Sequence, residues 1–193
     1  MLWGSTLAVL REVIENLPNA RPVAIAISNQ RETAIGWERK TSQPLTPAIS
    51  WQCSRSAPFC DSLKARELGE KVRQATGLPI APLFSASKMN WILAHTADGP
   101  ARAKNGEICL GTIDAWLLCR RTGGKTFFCD LSTAARTHLL NLTNQHLDPE
   151  PGDLVGCTGA ALPETCPARD FLVETPGPDG SPYSLPGLAR GGA

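Results

Sequence analysis

The sequence has little of what marks membrane-spanning, secreted or nucleic-acid-binding proteins. No apolar run approaches the roughly 20 residues that cross a bilayer. The N-terminal stretch carries charges within its apolar pattern and lacks a basic leader. The 19 basic residues are scattered and are balanced by 18 acidic ones, so the chain offers no cationic stripe to a polyanion. These absences predict a cytoplasmic protein with no membrane and no nucleic-acid partner.

Motifs for metal, phosphate and nucleophilic chemistry are missing as well. The seven cysteines form no C-x-x-C pair, and the three histidines do not flank them at zinc-ligand spacing. GGKT at 123–126 lacks the earlier glycine of a phosphate loop, because Cys119 stands there. No GxGxxG, HExxH or GxSxG occurs. We therefore expect reduced thiols that pack as small hydrophobes and no metal site, with a thiol-based or zinc role as a minor alternative.

What is present is the apolar patterning of an α/β domain. A run of β-branched and small apolar residues at 23–28 predicts a strand buried on both faces. The segment at 33–37 and a return toward residue 51 predict two more strands around a polar turn. Asp114 is predicted to lie at a helix start and to favour the helix dipole rather than to catalyse. Helical patterns are predicted over 5–17, with Ser5 as a plausible N-cap, over 62–77 and 83–96, and in the second part of 107–124.

The composition changes at about residue 148. Half of the 16 prolines lie between Pro149 and the C-terminus, and glycine is equally frequent there. Such a stretch can hardly bury enough apolar surface to offset its ordering entropy. The sequence therefore predicts a domain over 1–148 and a largely disordered tail over 149–193.

One charged pair stands at the end of an apolar run. Arg31 and Glu32 follow the strand predicted at 23–28, at its carboxyl end, which is where open α/β sheets bind their ligands. Arginine offers planar donors and glutamate accepts, so the pair can match a row of adjacent hydroxyls. The indole of Trp51, at the end of a nearby predicted strand, suits the C–H side of a polyol. On this chemistry alone, a structural salt bridge with a core tryptophan is the favoured alternative.

Four ordered blocks of the sequence resemble the glycerol kinases of the FGGY-type carbohydrate kinases. They begin with NQRET at 29–33, followed by ERKTSQPL and AISWQCSR. They continue with TGLPIAPLFSASKMNWIL at 76–93 and LGTIDAWLLCRRTGGKTFFCDLSTAARTHLLNL at 110–142. The last of these is similar to the family's GTVDTWL and TGG...TDxTNASRT blocks. Their order along the chain makes a chance match implausible.

The resemblance implies a ribonuclease H/actin-like ATPase fold, here an incomplete N-terminal domain with a mixed sheet flanked by helices. It implies transfer of the γ-phosphoryl group of ATP to a terminal hydroxyl of glycerol or a related polyol, with Mg²⁺ as cofactor, by enzymes that commonly form homo-oligomers. It also implies that Arg31 and Glu32 hydrogen-bond the glycerol hydroxyls and that Trp51 packs against the carbon chain. Leu83 departs from the family, which usually has a tyrosine there in a PYFS-like sequence, so the identity of the polyol stays open.

Other parts of the family pattern are not found in this sequence. They are the DxGTT-like phosphate loop, the GDQ-like segment with the general base, and the second domain that holds the adenosine. Phosphoryl transfer needs phosphates, metal and nucleophile positioned together. We therefore expect the chain alone to be inactive, with no catalytic residue and no bound ATP or Mg²⁺. A non-catalytic polyol-binding or interaction module derived from such a kinase is the alternative.

Overall fold

The computed structural model describes residues 2–17, 25–147, 156 and 159–167, together with the backbone of 172–176 and 182–186. The described helices are α1 Leu2–Glu15, α2 Ala57–Ala65, α3 Gly69–Thr76, α4 Ser85–Ala94, α5 Gly99–Lys104, α6 Ile113–Arg121 and α7 Leu131–Ala134, with a 3-10 helix at Gly159–Ala161. The described strands are β1 Ile35–Glu38, β2 Ile108–Gly111, β3 Phe128–Asp130, β4 Glu164–Cys166, β5 Leu172–Pro176 and β6 Pro182–Pro186. They pair two by two: β1 with β2 and β5 with β6 antiparallel, and β3 with β4 parallel.

The antiparallel pair β1–β2 has apolar core on both of its faces. Its register sets Trp37 opposite Cys109. Because successive side chains of a strand point to opposite faces, Trp37 and Cys109 enter one apolar cluster, whereas Ile108 and Leu110 enter another. All four residues are fully buried. The pair is therefore a central layer rather than a surface sheet.

Helices cover both faces of this layer. Met89 and Ile92 of α4 join the cluster on one face, and Trp116 and Cys119 of α6 join the cluster on the other. Each helix carries its two residues three positions apart, which places them on one side of the helix. The described domain is therefore an arrangement of helix, strands and helix in layers, as the sequence predicts for an α/β protein.

The strand predicted at 23–28 does not form where it is described. Residues 25–30 have no regular secondary structure, and 23 and 24 lie outside the described residues. A strand needs a neighbour for its backbone N–H and C=O groups, and no strand in the described part of the chain pairs with this segment. The prediction rested on side-chain type alone, which does not report whether a partner strand is there.

The predicted helices are found with altered bounds. The helix predicted over 62–77 is the two helices α2 and α3, and Glu67 between them has a φ of +58° that no α-helix accepts. Gly77 ends α3 in the left-handed conformation, as predicted. α1 starts at Leu2, so Ser5 is not its N-cap, and none of its residues is buried. No helix among the described residues is long and apolar enough to span a bilayer.

Residues 159–167 pack against the core. β4 pairs with β3 in parallel, and Ala161 is fully buried beside Leu162. Arg39 fixes the segment by donating from its Nη2 to the carbonyl oxygen of Ala160 at 2.6 Å. These residues are therefore ordered against the core, with 161–163 buried despite the prolines of the segment. The disorder predicted for 149–193 as a whole stays a prediction. The domain boundary at 148 stays a prediction.

Four of the described cysteines are buried thiols: Cys60, Cys109, Cys119 and Cys129. Burial raises the pKa of Cys109 to about 12, so its thiol stays protonated and packs as an apolar group. Within the described residues, no group of three or more His, Cys, Asp or Glu side chains could hold a metal ion. Cys157 lies outside the described residues.

Gly36, at the centre of β1, has no room for a side chain. A Cβ there would lie 2.8 Å from Ile92 Cγ2 and 3.3 Å from Leu110 Cδ2. We expect Gly36→Ala to lower the free energy of unfolding by about 1–3 kcal/mol, because overpacking forces the neighbours to shift. Gly69→Ala is the matched control, since nothing lies within 4 Å of its Cβ and alanine suits a helix better than glycine. Urea denaturation measures both, and equal stability of the two variants would contradict the packing described.

His138 is a buried titratable group beside the same core. It is 5% exposed, its Nε2 lies 2.8 Å from the carbonyl oxygen of Pro79, and its ring centroid lies 4.2 Å from that of Phe84. Burial lowers the pKa of His138 to about 4; the charges of Lys88 and Arg136 act in the same direction, and the hydrogen bond with Pro79 acts in the opposite one. The imidazole is therefore neutral at pH 7 and donates from Nε2.

Acid should destabilise the fold through His138. The unfolded chain takes up the proton near pH 6.5 and the folded chain only near pH 4, so this stabilisation is fully present above pH 6.5 and is lost as the pH falls toward 4. We expect a loss of up to about 3 kcal/mol from this group. His138→Asn does not titrate and tolerates the φ of +69° at this position. Urea denaturation at several pH values should show a flatter dependence for this variant, and an unchanged slope would argue against His138 as the source.

Candidate functional site

The Arg31–Glu32 pair lies in a sharp turn immediately before β1. The backbone N–H of Thr33 donates to the carbonyl oxygen of Arg31 at 2.8 Å, and Glu32 between them has a φ of +65°. This is a γ-turn of the rare, strained kind. Strain of this sort costs of order 1–3 kcal/mol and is concentrated at functional sites. We call residues 31–33 the Glu32 turn.

The carboxylate of Glu32 is paired with an arginine from a distant part of the chain. Nε of Arg136 donates to Glu32 Oε1 at 2.7 Å, and the two side chains are only 31% and 14% exposed, respectively. The guanidinium of Arg136 also lies over the ring of Phe84, 4.9 Å from its centroid. A charge-assisted hydrogen bond and a cation–π contact therefore act on the same guanidinium. Together they fix the direction of the Glu32 carboxylate.

Arg31 and Trp51 are more open to solvent than Glu32. Arg31 is exposed, and Trp51 is 41% exposed, so Trp51 is not a core tryptophan. An antiparallel bridge joins Ala34 and Ile49 through backbone hydrogen bonds of 3.0 and 2.8 Å. Because the bridge is antiparallel, the residues before Ala34 and those after Ile49 leave it at the same end. The structure thus brings the Glu32 turn and Trp51 to one end of the bridge, and their role in substrate binding stays a prediction.

The loop that carries Leu83 is fixed by a buried lysine. Lys88 of α4 is fully buried, and its Nζ donates to the carbonyl oxygens of Pro82, Leu83 and Phe84. Each N–H of the ammonium group therefore has an acceptor. Burial lowers the pKa of Lys88 to about 8, while Cys53, Cys60 and, to a smaller extent, Glu32 act in the opposite direction. The backbone around Leu83 is thus tied to a cation that also attracts the Glu32 carboxylate.

The start of α6 is tied to the segment just before the Glu32 turn. Asp114 Oδ1 accepts from Asn29 Nδ2 at 2.9 Å and from Thr112 Oγ1 at 2.6 Å. Asp114 stands in the first turn of α6, in keeping with the structural role predicted for it. Asp130 is the N-cap of α7 and accepts from the backbone N–H of Ser132. Both carboxylates are engaged in holding the fold.

Two residues of this arrangement had no signal of their own in the sequence. Arg136 lies 104 positions from Glu32 along the chain, and neither residue type nor spacing links them. Lys88 stands in an amphipathic helix pattern, where lysine ordinarily marks the solvent face. The one available signal was that both residues lie inside the blocks that resemble the carbohydrate kinases.

Comparison with known proteins places the chain in a family. The FGGY family of carbohydrate kinases, N-terminal domain, matches residues 1–175. The glycerol kinase of Sinorhizobium fredii is 39% identical over 192 residues, which make up 97% of this chain and 38% of that protein. The glycerol kinase of Shewanella oneidensis is 42% identical over 194 residues, or 97% of this chain and 39% of that protein.

A solved structure gives the same result. The crystal structure of Plasmodium falciparum glycerol kinase with ADP has a TM-score of 0.86 and 26% sequence identity, covering 95% of this chain and 38% of that chain. This match confirms the predicted ribonuclease H/actin-like fold with its mixture of helices and strands. The chain spans 38–39% of the length of the two curated relatives named above. With most of its length matched by the family's N-terminal domain, the chain belongs to the FGGY family of carbohydrate kinases.

Proposed function

We propose that this chain supplies half of the substrate pocket of a glycerol kinase-like enzyme, which transfers the γ-phosphoryl group of ATP to a terminal hydroxyl of glycerol or a related polyol. The observation that carries this proposal is the half-buried carboxylate of Glu32. A carboxylate can accept about four hydrogen bonds, and the contact with Arg136 Nε takes up one of them. The remaining capacity suits hydroxyl donors. Membership of a kinase family favours this function over a non-catalytic module.

Three side chains divide the work of binding a polyol. Glu32 accepts hydrogen bonds from hydroxyls, and Arg31 donates to hydroxyl oxygens. Neighbouring hydroxyls of the polyol therefore find an acceptor for their O–H and a donor for their oxygen. Trp51 offers an apolar face for the C–H groups of the carbon chain. Its exposure of 41% supports this assignment, because a large aromatic surface is available to a ligand. None of the three is proposed to take part in the chemical step.

The chemical step depends on groups outside this half of the pocket. The family supports ATP as the phosphoryl donor; we propose Mg²⁺ as its partner, a cytoplasmic location and a homo-oligomeric full-length kinase. Mg²⁺ would neutralise charge on the transferred phosphoryl group. Because the DxGTT-like and GDQ-like segments of the family are not found in this sequence, we propose that the chain by itself binds the polyol and does not phosphorylate it.

Arg31→Ala tests the assignment of the binding residues. We expect at least a tenfold weaker glycerol Kd in isothermal titration calorimetry, because a hydrogen bond to a charged group contributes about 1.5–3 kcal/mol. Arg66→Ala is the matched control: Arg66 is an exposed arginine at the C-terminal end of α2, and its removal should leave the Kd unchanged. Equal affinities of the two variants would remove Arg31 from the site.

Substitutions of Leu83 test whether a hydroxyl at position 83 can bind the polyol. Leu83→Tyr adds a hydroxyl at the end of a ring, and Leu83→Phe adds the ring alone, so the difference between the two variants isolates the hydroxyl. We expect the tyrosine variant to bind glycerol about fivefold more tightly than the phenylalanine variant, since one neutral hydrogen bond contributes about 1 kcal/mol. Calorimetry under one set of conditions gives both values. A ratio near one would mean that residue 83 does not face the polyol.

A further inference from the structure

We infer that Arg136 is a positioning residue for polyol recognition: it holds the Glu32 carboxylate where substrate hydroxyls can reach it, and so sets how strongly the site prefers polyols with an additional hydroxyl. This inference rests on the proposed function of the Glu32 turn. It assigns a role in specificity to a residue that comes from the far end of the described domain, directly after α7.

The geometry of the ion pair leaves the carboxylate usable. Arg136 reaches Glu32 through a single described contact, from Nε to Oε1 at 2.7 Å. The ion pair between Arg102 and Glu38 is different, because Nη2 of Arg102 contacts both carboxylate oxygens at 2.6 Å. A contact through both oxygens engages the whole carboxylate in an ion pair within the fold. A contact at one oxygen orients it and leaves lone pairs for a ligand.

The guanidinium of Arg136 is itself anchored. It lies 4.9 Å from the centroid of the Phe84 ring, and Phe84 is only 4% exposed. The other contacts of that ring include His138, which bonds to the loop before α4. Arg136 therefore cannot follow Glu32 if the carboxylate swings away. The anchoring also links the Glu32 turn to the loop that carries Leu83, the neighbour of Phe84.

The strained backbone of Glu32 indicates that its ion pair with Arg136 does more than stabilise the fold. A residue with a side chain keeps a φ of +65° only where its surroundings over-determine it. The charge of Lys88 attracts the same carboxylate. Removing Arg136 would leave a half-buried charge without its hydrogen-bonded partner. The carboxylate would then turn toward water, and its alignment with the substrate hydroxyls would be lost.

The test compares glycerol with 1,2-propanediol, which lacks one terminal hydroxyl. Calorimetry gives the Kd of each ligand for the unaltered chain, Glu32→Gln, Arg136→Met, Arg136→Lys and the Glu32→Gln/Arg136→Met double variant. We expect the unaltered chain to prefer glycerol, and Arg136→Met to reduce that preference about tenfold, the size of a charge-assisted hydrogen bond. Glu32→Gln should have the same effect, and the double variant should lose no more than either single one. Arg136→Lys should restore part of the preference, because it keeps the charge.

Arg120→Met is the matched control, because the Arg120 guanidinium also lies over an aromatic ring, 5.4 Å from the centroid of Trp116. It should leave the preference for glycerol unchanged. Thermal unfolding followed by circular dichroism checks that each variant is folded. If Arg136→Met does not fold, Arg136→Lys carries the test, and it must then show a preference between those of the unaltered chain and Glu32→Gln.

The outcomes separate this inference from the proposed function. If Arg136→Met weakens both ligands equally, or if the losses in the double variant add, Arg136 has only a structural role and the inference is overturned while the binding site stands. If the unaltered chain binds neither ligand, or if Glu32→Gln changes neither Kd, the proposed function of the Glu32 turn fails and the inference fails with it.

Discussion

The antiparallel pairing of β1 with β2 is the constraint on which the rest of this structure depends. Both faces of the pair are covered by helices, so its side chains are buried except for that of Glu38 at the end of β1. A shift of the register by one residue would exchange the two faces and place Trp37 in the cluster that now holds Ile108. The close approach of Ile92 to Gly36 would also be lost. The position at which the chain enters β1 is fixed in consequence, and the Glu32 turn stands directly before that position.

Three polar contacts near this entry point hold its geometry. Asn29 bonds to the start of α6, Glu32 pairs with Arg136, and Lys88 donates to carbonyl oxygens in the loop before α4. Partly buried charges of this kind are weak evidence for stability, because desolvation offsets much of their attraction. Their effect is to connect three elements that are distant in sequence at one place. A site that must recognise a small polar molecule needs this accuracy more than it needs stability.

Sequence patterns predicted the parts of this structure that depend on local rules. The helix predicted in the second part of 107–124 appears as α6, and the double glycine at the end of that range forms a turn with positive φ at Gly123 and Gly124. Two features that the sequence did not predict involve partners from elsewhere in the chain. The segment at 23–28 has the composition of a strand, but no strand pairs with its described part. Residues 159–167 lie in a proline-rich stretch, but Ala161 and Leu162 pack into the apolar core.

The candidate site also combines features that the local sequence predicts with features that depend on distant partners. Arg31, Glu32 and Trp51 could be proposed from residue type and resemblance, because the motif is contiguous and its chemistry is recognisable. The γ-turn at Glu32 could not, since glutamate has no preference for positive φ and only tertiary contacts impose it. The pairing with Arg136 could not either, because it spans 104 positions. Sequence thus indicated which residues meet the ligand, and the fold determines how they are aimed.

The exposures within the site decide where its selectivity arises. Arg31 is solvated in the free protein, so its hydrogen bonds to a ligand reach their full strength only where the bound ligand excludes water. Glu32 is shielded, with only 14% of its side chain exposed. A substrate without a hydroxyl at this point leaves the carboxylate desolvated and without a donor, which lowers its affinity more than at an exposed group. Selectivity among polyols should therefore depend on the half-buried end of the site. Affinity depends on how far Arg31 and Trp51 are covered once the ligand is bound, because shielding from water is what strengthens their contacts.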